Sequence, residues 1–133
     1  METQTLYEQI GGAETIRAIV ETFYPKVQAH PLLAPLFPKD IQPVMERQYW
    51  FLTQYLGGPP LYSEKRGHPM LRARHLPFPI TEERAEAWLS CMNETLDEVG
   101  IKGLAREQIW ARLVLTAHHM INQPDTEQSE FDT

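Results

Sequence analysis

Five histidines, one cysteine and a few polar side chains at positions where a core is expected are the residues of this 133-residue chain with the means to do chemistry. His118 and His119 are adjacent on a predicted helix and project about 100° apart, so they lack the i, i+4 spacing that chelates zinc on one helix face. At least one of them belongs on the surface. His30 stands at a predicted helix end, where an imidazolium favours the macrodipole. His68 lies in a loop flanked by glycine and proline and reads as a hydrogen-bonding loop residue. Cys91 has no second cysteine for a disulfide or a sulfur-rich metal site, and its plainer reading is a small buried hydrophobe. His75 differs. It ends the run Arg72-Ala73-Arg74-His75 and precedes Leu76, Phe78 and Ile80. Arginine beside an apolar wall suits an amphipathic ligand that carries carboxylates. On spacing alone, the commoner reading of such a residue is still a structural loop histidine.

Tyr24, Gln48 and Trp88 form a second group, because each sits on the inward stripe of a different predicted helix and carries a donor that must be satisfied if buried. Three helices can thereby aim polar groups at one pocket. For any one of the three taken singly, the commoner reading is a core aromatic reaching a carbonyl, or a glutamine at an edge.

The elements that must position these groups are helical. Thr5 to Ile10 reads as a short helix closed by Gly11-Gly12. Over Ala13 to Ala29, Ile16, Ile19, Val20, Phe23, Tyr24 and Val27 recur at the spacing of an amphipathic helix, which His30-Pro31 closes. Pro31 to Pro38 reads as a compact corner. Asp40 is placed to cap a helix from about Ile41 to Leu56, with Val44, Gln48, Phe51, Leu52 and Tyr55 on one face. After Gly57 to Pro60, the stretch Leu61 to Ile80 reads mainly as loop, with a helical turn or two at most over Met70 to His75. Thr81 caps a helix that turns Ala85, Trp88, Leu89, Met92, Leu96 and Val99 inward, and Gly100 and Gly103 punctuate its end. A last helix runs from about Leu104 to Asn122, with Pro124 beyond it. No strand alternation and no internal repeat appears, so the class is all-α.

Composition narrows the function. One domain accommodates 133 residues, and 42% hydrophobic with 23% charged residues is ordinary globular composition. No apolar run approaches the roughly 18–20 residues that span a bilayer. The N-terminus carries Glu2 where a signal peptide carries base, so a cytoplasmic protein is expected. The formal net charge of -6 argues against nucleic acid, whose phosphates need a basic surplus. Four of the 18 acids (Asp125, Glu127, Glu130 and Asp132) lie in the last nine residues, leaving 14 against 12 bases in the body. The expected organisation is a domain over residues 1–122 followed by an acidic, disordered tail over 123–133.

Gly11-Gly12, Phe23-Tyr24, Pro35 to Pro38, Gln54 to Pro59, Gly67 to His75, Pro77 to Ile80 and Ala87-Trp88 together resemble the group II truncated haemoglobins, from about Leu6 to Asn122. The resemblance implies a 2-on-2 helical sandwich around haem b. It implies His75 as proximal iron ligand, with Tyr24, Gln48 and Trp88 as distal residues. It also implies Phe37, Val44 and Phe51 as haem-pocket packing, and Arg47 and Arg74 as partners of the propionates. Val44 stands where many globins place a polar gate residue, and Phe37 where some members of the group carry tyrosine. Neither side chain offers a hydrogen bond to a ligand here.

The resemblance implies reversible binding of O₂ and other diatomics such as CO and NO at a histidine-held iron. Bound O₂ gains partial negative charge, which hydroxyl, amide and indole donors stabilise more than they stabilise apolar CO. The alternative is a redox enzyme, a nitric oxide dioxygenase or a peroxidase-like protein. It would need a separate reductase, since no flavin or nicotinamide motif is present. A haem-free helical interaction module is the third reading. The oligomeric state is open.

Overall fold

The computed structural model describes residues 4–68, 73, 75, 76 and 78–123. Thr5 opens α1 (Leu6–Gln9) with a capping box. Its hydroxyl accepts from the Glu8 amide at 3.1 Å, and the Glu8 carboxylate accepts from the Thr5 amide at 2.9 Å. Gly11-Gly12 turns the chain into α2 (Ala13–Ala29), whose six stripe residues are all buried, as their spacing predicts. Pro25 lies inside α2 and deletes one backbone donor, but the carbonyl left without it belongs to exposed Glu21, within reach of water. At the end of α2 the Leu32 amide donates to His30 Nδ1 at 3.2 Å.

A 3₁₀ turn (Ala34–Leu36) forms the proline-rich corner and leads to α3 (Gln42–Tyr55). Asp40 Oδ1 accepts from the Gln42 amide at 3.2 Å, although Ile41 holds the cap position itself. Next comes α4 (Leu61–Arg66), where the sequence reads as loop. Six residues are too few to show periodicity, and the bonds that hold this helix are tertiary. Gln54, on α3, accepts from the Ser63 amide at 2.9 Å and donates to the Ser63 hydroxyl at 2.8 Å, while Tyr62 is buried. Ala73 and His75 are helical, whereas the rest of the predicted turn over Met70 to His75 lies outside the described residues.

Thr81 caps α5 (Glu82–Val99), its hydroxyl accepting from the Arg84 amide at 3.1 Å. Cys91 is buried within α5, and burial pushes its thiol pKa up, as befits a packing residue. The last helix, α6 (Gly103–His119), stops short of the predicted Asn122. Asn122 turns instead toward the segment before α5, because its amides find partners there. Arg106 ties the α5–α6 corner together, donating to Asp97 at 2.9 Å, to Asn93 Oδ1 at 2.7 Å and to the Ile101 carbonyl at 3.0 Å. His118 and His119 are exposed.

The pairs α2/α3 and α5/α6 make the 2-on-2 sandwich, joined where α2 packs on α5, and no strand occurs among the described residues. Gln123, where the acidic tail begins, donates its amide to the Ile80 carbonyl at 3.1 Å; residues 124–133 lie outside the described residues. No described helix is long and apolar enough to cross a membrane.

Gly58 shows how closely the α3–α4 corner approaches α1. A Cβ there would stand 2.9 Å from the Thr53 carbonyl oxygen and 2.9 Å from the Tyr7 ring. Backbone cannot yield to it as a flexible side chain would. Gly58→Ala is expected to destabilise the fold by about 1–3 kcal/mol, read as a lowered midpoint in urea unfolding. An unchanged midpoint would mean that the corner relaxes freely.

Candidate functional site

A cavity of about 830 Å³ opens between the two helix pairs. Its size and mostly apolar lining suit a large hydrophobic ligand. α2 contributes Tyr24; the corner after the 3₁₀ turn contributes Phe37; α3 contributes Val44, Arg47, Gln48 and Phe51. The segment before α5 contributes His75, Phe78 and Ile80, and α5 itself contributes Arg84 and Trp88. Eight of the nine residues singled out in the sequence therefore meet at one cavity. The ninth, Arg74, lies outside the described residues.

The three polar residues of the inward stripes are held by aromatic packing. Phe23, with no exposed surface, sits edge-on to both Tyr24 (ring centroids 5.0 Å apart, planes at 83°) and Trp88 (5.1 Å, 67°). Phe37 closes on Tyr24 from another side, at 6.1 Å and 82°. One buried ring on α2 thus orients a phenol on its own helix and an indole on α5. The side chains of Tyr24, Gln48 and Trp88 make no hydrogen bond to any protein group among the described residues, and no fully buried polar side-chain atom there lacks a partner. Their polar atoms are accordingly left for whatever occupies the cavity.

Burial raises the Tyr24 phenol well above its ordinary pKa, and the positive charge of Arg47 opposes this only in part. The hydroxyl keeps its proton and stays a donor through the alkaline range. The folded chain holds that proton more tightly than the unfolded chain. Its contribution to stability is therefore complete below about pH 10 and is lost as pH climbs from there toward the folded value. Urea unfolding at stepped pH is expected to show wild-type stability falling more steeply above about pH 10 than that of Tyr24→Phe. Parallel curves would mean that the phenol ionises normally.

Several lining residues were not singled out in the sequence. Arg84 donates through Nη1 to the Pro79 carbonyl at 2.7 Å and through Nε to the Leu32 carbonyl at 3.0 Å, joining two corners at the cavity wall. Arg66 and Tyr62, on the unforeseen α4, also line it, with Phe51 packed between the Tyr62 and Tyr55 rings. The Tyr55 and Thr116 hydroxyls lie 2.7 Å apart and link α3 to α6.

Arg47, Arg66 and Arg84 bring three guanidinium groups to the lining, and no acidic side chain joins them among the described residues. In a chain of net charge -6 this is a local reversal of sign. An apolar cavity with cations on its wall fits an amphipathic ligand bearing carboxylates. An imidazole on the wall and three donors without a protein partner among the described residues fit an iron porphyrin.

A sequence model of the family described as bacterial-like globin matches residues 5–122. The chain is 60% identical over 121 residues to the group 2 truncated hemoglobin YjbI of Bacillus subtilis (strain 168), covering 91% of each. Its fold superposes on the crystal structure of the group II truncated hemoglobin from Bacillus anthracis with a TM-score of 0.93 at 54% identity, covering 94% of this chain and 96% of that one. The truncated oxygen-avid haemoglobin from Bacillus subtilis superposes with a TM-score of 0.87 at 59% identity, covering 90% of this chain and all of that one.

Proposed function

Since the chain belongs to the bacterial-like globins as a group II truncated haemoglobin, we propose that it carries haem b through His75 and binds O₂, and also CO and NO, reversibly on the opposite side. Haem would supply an iron that the His75 imidazole would hold and that would bind a diatomic gas. The rest is the work of the chain. The apolar wall, with Phe37, Val44 and Phe51, excludes water from the ligand side. Arg47 and Arg74 pair with the propionates, and Arg66 adds positive charge to the same cavity. Tyr24, Gln48 and Trp88 donate to the gas.

The convergence of those three donors from α2, α3 and α5 on one cavity is the observation that carries the reading. These donors open onto the cavity without a protein partner among the described residues, so a polar ligand there can accept from them. The relative from Bacillus subtilis described as oxygen-avid supports tight retention. Retention suits a protein that holds the gas, in the cytoplasm, more than one that delivers it in bulk. The test is the ultraviolet–visible spectrum of the purified protein, then of the reduced protein under CO. A histidine-ligated haem spectrum is expected, and a colourless protein that takes up no haemin would overturn the reading. Mixing the oxygenated protein with nitric oxide in the presence of a reductase distinguishes a gas-holding protein, which stops after one turnover, from an enzyme, which continues.

A further inference from the structure

We infer that Asn122 is a positioning residue for the axial imidazole, an inference that rests on the reading of His75 as the iron ligand. Asn122 lies beyond the end of α6, 47 residues from His75 in the chain, yet its side chain grips the backbone that carries that histidine. Its Nδ2 donates to the His75 carbonyl at 3.2 Å and to the Phe78 carbonyl at 3.0 Å. Its Oδ1 accepts from the Ile80 amide at 3.0 Å, and its own amide donates to the Ile80 carbonyl at 2.9 Å.

One side chain thus uses both of its N–H groups and its carbonyl on a single short segment. The three residues it holds, His75, Phe78 and Ile80, are the ones through which that segment lines the cavity. The segment contains prolines at 77 and 79 and is tied within itself by the Phe78 amide donating to the His75 carbonyl at 2.9 Å. Arg84 also holds this segment at the Pro79 carbonyl and Gln123 at the Ile80 carbonyl, but the Asn122 side chain reaches the His75 carbonyl itself. No other residue type of this length offers two donors and an acceptor from one planar group. Aspartate retains the acceptor and presents oxygen to two carbonyls, whereas alanine removes all three contacts and leaves the backbone pair in place.

A shift of the His75 backbone changes the tilt of its ring, and this is felt on the imidazole side of the haem before the gas side, which Tyr24, Gln48 and Trp88 control. The experiment compares wild type, Asn122→Ala and Asn122→Asp, each loaded with haem. It reads the iron–histidine stretching band of the ferrous protein by resonance Raman and the rate of haem loss to excess apomyoglobin. In the apoproteins it reads hydrogen exchange at the Ile80 amide. Both variants are expected to shift or broaden the band and to lose haem about tenfold faster, the scale of the side-chain bonds removed. The Ile80 amide should exchange faster in Asn122→Ala but stay protected in Asn122→Asp, which keeps its acceptor. An unchanged band and haem-loss rate in both variants overturns the inference while leaving His75 as ligand. So does a lowered unfolding midpoint with an unmoved band, which marks Asn122 as merely structural. A haem-loaded wild-type protein without any iron–histidine band overturns the ligand assignment, and the inference with it.

Discussion

Replacing His75 by alanine is expected to abolish stable haem retention. Among the described residues His75 is the one histidine that lines the cavity, so no second imidazole there stands ready to replace it. The other contacts this cavity would offer a porphyrin are apolar burial and guanidinium pairing, which would position the ring without ligating its iron. His75→Ala should therefore be recovered largely colourless, with the Soret band lost on gel filtration while far-ultraviolet circular dichroism stays helical. Added imidazole should restore part of the spectrum by occupying the vacated position. A Soret band identical to wild type, retained through gel filtration, would remove His75 from the proximal role.

The second large effect concerns release of the gas. Trp88→Phe and Tyr24→Phe each delete one donor and keep an aromatic ring against Phe23 or Phe37, so the packing that orients the pair is preserved. Each hydrogen bond contributes about 0.5–1.5 kcal/mol net, with every 1.4 kcal/mol equal to a factor of ten. Either single variant should speed O₂ release by about twofold to tenfold, and the double variant by up to about a hundredfold. CO release should change much less, because CO develops little charge for a donor to meet. The comparison of the two gases separates donation from simple widening of the pocket, which would speed both. An O₂ off-rate unmoved in the double variant would reduce Tyr24 and Trp88 to packing residues.

The four long helices were legible because their apolar residues recur at helical spacing. Every stripe residue of α2 is buried, and so are Ala85, Leu89, Met92 and Leu96 of α5. The capping signals at Thr5 and Thr81 also appear as hydrogen bonds. The misses share a cause. α4 is held by Gln54 reaching nine residues along the chain, and the end of α6 is set by Asn122 pairing with Ile80 across 42 residues. Neither partnership leaves a periodic trace in the sequence.

The site divides along the same line. Residue type and helical phase by themselves determined that Tyr24, Gln48 and Trp88 face inward and that His75 stands beside an apolar segment, because a helix of fixed pitch sorts its side chains to faces whatever surrounds it. Only the tertiary structure decided that these residues border the same cavity, that Phe23 braces two of them, and that Arg66 and Arg84 bring further positive charge to its wall. Those facts depend on how helices cross and where loops are pinned. Contacts between residues far apart in the chain set these features, and local spacing carries no record of them.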